Sequence, residues 1–306
     1  MNTLLINLKI QEVNVVKPIK RKSMMMRYSG RSSDYLSPSF GQGCLLDCSY
    51  CYCKRHKPIG LDYATNIEQI LTEINSHVTM VAPFDQNLRP RPDQVDPKYI
   101  VYDISCNEDF ALHHKYYPWQ KIFAFFRDHQ KAKATLATKV IAEDLLTFDP
   151  KKKVRIRFSL MPQKLSSIYE PNTPKIIDRI NAVNSFITAG YEVHLNFSPV
   201  IIYSGWQQDY IELFELVNAT VLDKFKLDVL SEVIFLTHNI HKHQANVENN
   251  KPGEQMLWDP VLQEPKESIY GGHNVRYRIN LKERAVEEFK MLHDRIIPWN
   301  TIRYIF

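Results

Sequence analysis

Between residues 99 and 236 the chain alternates short β-branched, aromatic runs with longer amphipathic ones, and this alternation limits the fold more than any other feature. Strands separated by helices pair in parallel through right-handed crossovers. Strands are expected at 99–105, 134–137 (ending at Lys139), 154–160, 191–202 and, with an irregular start, 225–236, after an earlier one at 35–40. A helix over 65–82 places Ile67, Ile70, Leu71, Ile74 and Val78 on one face, with Thr65 and Glu68 as a capping box. Pro118 opens a second helix, 141–147 is helical, Thr173 and Pro174 start another helix closed by Gly190, and 209–218 completes the series. About six such rounds give an α/β fold, a partial (β/α)6 barrel rather than a closed eight-fold one. The α+β segment that follows would be a C-terminal appendage.

In barrels of this kind the reactive groups stand at the C-terminal ends of the strands. Four of the five cysteines fall in residues 44–53, directly after the first strand. Cys44, Cys48 and Cys51 read Cys-x3-Cys-x2-Cys, a spacing at which three thiolates can hold a 4Fe-4S cluster and leave its fourth iron open. Zinc would require a fourth ligand, and its usual signature is two separated Cys-x2-Cys units. Cys53 breaks the spacing and reads as a spare reduced cysteine. Cys106, Lys139 and Ser159 close the next three strands. The cysteine spacing, followed by an aromatic residue, resembles the radical S-adenosylmethionine (SAM) superfamily, which implies that SAM chelates the open iron.

No apolar run approaches 18 residues, 24% of residues are charged, and residues 1–10 lack a basic lead and a cleavage site. These features argue against a membrane span or a signal peptide, and clustered metal-spaced cysteines point to the reducing cytoplasm. The net charge of +5 is a weak indication of nucleic acid on its own. Its distribution is more informative: Lys54, Arg55 and Lys57 follow the cysteines directly, where they could hold a phosphate backbone. The chain divides into an N-terminal extension (1–34), the partial barrel (35–237) and the appendage (238–306). The appendage begins with a polar segment carrying His238, His241 and His243, read as a DNA-facing basic loop, with a second metal as the alternative.

Over residues 36–306 the chain resembles the spore photoproduct lyase family, radical SAM enzymes that reverse a thymine dimer in DNA. The resemblance is carried by the cysteine loop, Ser-Cys-Asn-Glu-Asp (105–109), Thr-Lys (138–139), Arg-Phe-Ser-Leu (157–160), Ala-Gly-Tyr (189–191) and Ser-Pro-Val-Ile-Ile-Tyr-Ser-Gly-Trp (198–206). It implies that Cys44, Cys48 and Cys51 hold the cluster and that Lys139 and Ser159 contact SAM. Cys106 would return a hydrogen atom to the product radical, and Tyr50 and Tyr52 would relay the radical back toward SAM or shield the cluster. It also implies damaged duplex DNA as a partner and a one-electron donor such as flavodoxin or ferredoxin. Two departures stand out. Glu108 occupies the place of a small hydroxyl residue, and Ile269-Tyr270-Gly271 stands where the family carries an Arg-Tyr-Gly hairpin tip, leaving Tyr270 as the candidate wedge. Other readings are a radical SAM enzyme acting on a peptide or nucleotide, and a non-catalytic nucleic-acid-binding protein with a structural cluster.

Overall fold

The computed structural model describes residues 15–55, 57, 59–82, 97–267 and 272–306. In chain order the elements are β1 (Val16–Ile19), β2 (Arg27–Tyr28), β3 (Tyr35–Leu36), β4 (Gly41–Gly43), β5 (Leu61–Ala64), α1 (Ile67–Val81), β6 (Ile100–Asp103), α2 (Phe110–His113), α3 (Trp119–Asp128), β7 (Ala132–Thr138), β8 (Val154–Leu160), α4 (Gln163–Tyr169), α5 (Ile176–Thr188), β9 (Glu192–Val200), α6 (Trp206–Thr220), β10 (Leu230–Phe235), β11 (Thr237–Asn239), α7 (Ile240–Glu248), α8 (Glu254–Leu257), β12 (Gln263–Glu267), β13 (His273–Tyr277), α9 (Ile279–Ile296) and β14 (Thr301–Ile305).

An eight-stranded sheet in the order β14-β10-β9-β8-β7-β6-β3-β2 carries the fold. Its pairings are parallel except for the β2–β3 edge. Two-residue alternation explains how this sheet is stocked. On β8, Val154, Ile156, Phe158 and Leu160 enter the apolar core shared with Ile180, Val183 and Phe186 of α5, where Phe158 and Phe186 meet edge to face at 5.3 Å. The intervening Arg155, Arg157 and Ser159 are also buried, but on the concave face, which is polar.

That polar face is built in layers fixed by strand register. In the lowest layer Glu192 takes Arg155 and Lys133, and His194 lies beside it. One step up, Arg157 reaches Asp103 at 2.6 Å and Glu232 at 3.3 Å, while Arg303 of β14 meets Glu232 at 3.3 Å. Buried charge is tolerated here because every group faces an opposite one; removing a single partner from such a set costs about 3–5 kcal/mol. The top layer pairs Ser159 with Asn196 across β8 and β9.

Several expected elements take a different form. The strand at 35–40 splits: Tyr35–Leu36 joins the large sheet, and Gly41–Gly43 joins a three-stranded sheet, β1-β5-β4, that carries the cysteine loop between β4 and β5. The capping box does not form, because the Thr65 hydroxyl donates to Ile19 O and Asn66 precedes the helix. Residues 143–147 form a 3-10 turn, and a short helix, α4, follows Pro162 without having been expected. The stretch from 238 is strand β11 and helix α7 rather than a loop. Strand β14, within the 238–306 stretch assigned to the appendage, is instead the edge strand of the main sheet. No helix among the described residues is long and apolar enough to cross a membrane.

Candidate active site

The short strand β4, which leads into the cysteine loop, begins at Gly41, whose backbone passes against a buried pair. A Cβ there would stand 2.4 Å from the Tyr117 hydroxyl oxygen and 2.5 Å from the Glu108 carboxylate, so a larger residue would displace that pair. Glu108 accepts from Tyr117 at 2.9 Å and pairs with His113 Nδ1 at 2.9 Å. The residue that departs from the family pattern is thus anchored from behind while still bordering the central cavity.

That cavity, of about 430 Å³, opens over the concave face of the sheet. Cys44, Cys48, Cys51 and Cys53 line it together with Lys139, Ser159 and Asn196, and so do Tyr50 and Tyr52, with Lys139 Nζ 5.5 Å from the Tyr50 ring centroid. All four cysteines are free thiols, and three of them are buried. Burial, then the Cys51 and Asp109 charges, pushes the Cys44 thiol up. Cys51 goes the other way: a hydrogen bond from Cys53, against the cost of burial and with help from Lys139, lowers it to about 6. Cys53 is therefore not idle, since its thiol faces Cys51 directly.

Lys139 is placed by Asp109, which accepts from the Lys139 backbone N–H at 3.0 Å and from the Thr138 hydroxyl at 2.8 Å, and which also caps α2. Burial opposes the Lys139 charge, but Glu170, Cys48 and Cys51 outweigh it and raise the ammonium above its ordinary value. Ser159 accepts from Asn196 Nδ2 at 3.4 Å. The other amide atom, Asn196 Oδ1, is buried without a hydrogen-bond partner. A buried acceptor bordering a cavity requires a donor from whatever fills it. Three convergent thiols, a lysine and an orphaned acceptor suit an iron–sulfur cluster with a polar, amine-bearing ligand beside it.

The family model for spore photoproduct lyase matches residues 7–306. The chain belongs to the spore photoproduct lyase family. It is 26% identical over 290 residues to the spore photoproduct lyase of Bacillus subtilis (strain 168), covering 93% of this chain and 80% of the relative. To that of Geobacillus sp. (strain Y412MC61) it is 23% identical over the same span. Among solved structures, a spore photoproduct lyase complexed with dinucleoside spore photoproduct superposes with a TM-score of 0.83 at 19% identity, covering 95% of this chain and 82% of that one. A variant of that enzyme with bound S-adenosylmethionine and the same dinucleoside gives 0.82. At these identities the structural likeness speaks for the fold.

In this spore photoproduct lyase family member the remaining candidates separate. Cys106 is buried but does not border the central cavity. Its Sγ is 3.6 Å from Arg27 Nη2 and 3.7 Å from Ser39 Oγ, and burial, then Asp103, pushes the thiol up to about 11. Tyr52 borders the cavity and donates its hydroxyl to Cys106 O at 2.6 Å. Tyr50 also borders the cavity, but its hydroxyl is taken by Glu170, which also takes Arg179 at 2.7 Å. Lys57 pairs with Asp62 at 2.5 Å and is partly buried. The side chains of Lys54 and Arg55, and all of Tyr270, lie outside the described residues, although the hairpin strands β12 and β13 that flank Tyr270 are present.

Sequence reading missed Asn196, whose signal is its place in the run His194-Leu195-Asn196-Phe197-Ser198: a polar residue at every second position of a buried strand. The histidines stand on β11 and α7 rather than on a loop, and His238 and His243 with Glu254 bring ligand atoms within 4.8 Å of one another, a set that could hold a metal ion, the alternative reading of this stretch. His238 Nε2 and His243 Nδ1 lie 2.8 Å and 2.7 Å from Glu254 Oε1, and His243 stacks on Trp258. Asn246 donates to Glu254 at 2.5 Å and to Ser49 O at 2.7 Å. This cluster fastens α7 and α8 to the cysteine loop.

Proposed function

We propose that the central cavity is the active centre of a radical SAM lyase that repairs spore photoproduct, a thymine dimer in DNA. The observation that carries this reading is the Cys44, Cys48 and Cys51 thiol set opening onto one cavity with Lys139, Ser159 and Asn196, in a chain of this family. The 4Fe-4S cluster and SAM, when bound, supply a carbon-centred radical able to abstract a hydrogen atom from the lesion.

The chain's own residues supply placement. The three cysteines would hold the cluster at the C-terminal side of what we read as a partial (β/α)6 barrel. Lys139, Ser159 and Asn196, which line the cavity together, would position SAM, and Asn196 Oδ1, without a partner in the fold, would be free to accept from it. Cys106 returns a hydrogen atom to the product radical. Because its thiol titrates near 11, the S–H bond is intact throughout the neutral range. Tyr52 borders the cavity and bonds the Cys106 main chain, whereas the Tyr50 hydroxyl goes to Glu170, which favours Tyr52 over Tyr50 as the relay. For the lesion to enter, the damaged nucleotides must leave the helical stack, which costs least where pairing is already lost. An electron donor of the flavodoxin or ferredoxin type completes the reaction.

The test is anaerobic reconstitution followed by incubation with SAM, dithionite and dinucleoside spore photoproduct. We expect 5'-deoxyadenosine and two thymidines by mass spectrometry. Intact cluster with neither product overturns the assignment.

A further inference from the structure

Three cations from separate parts of the chain meet at one ring. The Arg31 guanidinium carbon lies 3.4 Å from the centroid of Phe306, Lys266 Nζ 4.5 Å and Lys282 Nζ 5.2 Å. Arg31 comes from the turn between β2 and β3, Lys266 from the hairpin strand β12 and Lys282 from the first turn of α9. Arg276 of β13 is the fourth member. It pairs with Glu264 at 2.9 Å, yet its charge still acts on both lysines.

Among the described residues neither Lys266 nor Lys282 has a carboxylate partner. Lys266 is held below its ordinary value by burial and then by Arg31, Arg276 and Lys282; Lys282 is lowered by burial, Arg276 and Arg31. Half-buried cations that depress one another oppose folding, and an anion placed among them would relieve that repulsion. The location identifies the anion. Arg31 and Phe306 both border the central cavity, so the cluster stands at its mouth, on the side of the β12–β13 hairpin.

We infer that Arg31, Lys266, Arg276 and Lys282, gathered round Phe306, clamp the phosphodiester backbone of the DNA strand whose lesion enters the cavity. The inference rests on the repair reading above and adds to it the place where the strand is held. It also gives this chain a backbone grip that does not depend on an arginine at the hairpin tip.

Binding is read with a short duplex carrying one spore photoproduct over a series of salt concentrations, using reconstituted protein. Each phosphate contact contributes roughly 0.9 to the slope of log affinity against log salt on duplex DNA. Lys266→Ala and Lys282→Ala should each lower the slope by about 1, the double variant by about 2, and Lys282→Arg should restore it. Lys121→Ala, on the outer helix layer and paired with Glu68, should leave the slope as in the parent. If Lys266→Ala does not fold, Lys266→Gln replaces it. Parent slopes in folded Lys266 and Lys282 variants would overturn the clamp. So would inorganic phosphate competing as strongly as the duplex, since the site would then take small anions. Neither result touches the repair reading, which stands or falls on turnover of the dinucleoside lesion by the unsubstituted protein.

Discussion

The Tyr52 hydroxyl donates to the main-chain oxygen of Cys106 at 2.6 Å, joining the cysteine loop to the end of β6. Tyr52 borders the cavity, while the Cys106 thiol does not and meets Arg27 and Ser39. A radical on the Cys106 sulfur therefore has an aromatic neighbour on the route back to the cavity. Tyr52→Phe should keep the cluster and SAM cleavage but lower the yield of repaired thymine relative to 5'-deoxyadenosine. An unchanged product ratio would remove Tyr52 from the relay.

Cys106→Ala separates a donor from a space-filling thiol by product identity. Loss of the buried sulfur should cost about 1–2 kcal/mol of stability. SAM should still be cleaved, while the substrate radical, lacking an S–H bond, is trapped by external reagents and gives adducts. Repaired product in undiminished yield would refute the donor role.

The four-cysteine loop makes a sharper demand than its spacing alone. Cys44→Ala, Cys48→Ala and Cys51→Ala should each abolish the visible absorption of the reconstituted cluster. Cys53→Ala should retain it, but because Cys53 is the main group lowering Cys51, reconstitution should then need a higher pH. Loss of the cluster in Cys53→Ala with retention in Cys51→Ala would exchange the two assignments.

Much of this arrangement is legible in the residues, and the exceptions have physical causes. Strand β8 is read with its observed ends because its two-residue alternation is unbroken over seven positions. The same alternation carries the polar lumen, but nothing local to Arg155 and Arg157 names their partners, since register alone places them opposite Glu192, Asp103 and Glu232. Thr65 and Glu68 fit a capping box by spacing, yet the Thr65 hydroxyl has a better-placed acceptor in Ile19 O, contributed by a strand distant in sequence. His238 and His243 looked exposed because their partner, Glu254, lies beyond a turn. Contacts made across the fold, rather than along the chain, account for each miss.

Asn196 provides a test of the SAM pocket that is independent of the cluster. Asn196→Ala removes the orphaned acceptor at Oδ1 together with the Nδ2 donor to Ser159. Affinity for SAM should fall by roughly tenfold, the value of one buried hydrogen bond, while iron content stays constant. Lys139→Ala should weaken SAM binding as well. Unchanged calorimetric affinity in Asn196→Ala would mean that the acceptor faces something other than SAM.

The lowest layer of the lumen predicts acid lability with a definite window. Burial lowers His194 to about 4, and its Nδ1 faces Arg303 at 3.5 Å, so the folded ring is neutral. In the unfolded chain the same ring binds a proton near pH 6.5. Between these values the unfolded state holds more protons than the folded one, so stability falls as the pH drops from about 6.5 toward 4, by up to about 3 kcal/mol from this group. Glu192 acts in the same direction but lower: burial would raise it, Arg155 and its other partners hold it well below the usual carboxylate range, and its contribution is lost only below about pH 4.5. His77 and His129, also lowered by burial, add a background across the upper window. The comparison is therefore between the parent and His194→Gln, each unfolded by denaturant at pH 7 and pH 5. The parent should lose more stability on acidification than the variant, whose glutamine cannot titrate. Equal losses in the two proteins would show that His194 is already protonated in the folded state and that the layer is balanced differently from the way its neighbours imply.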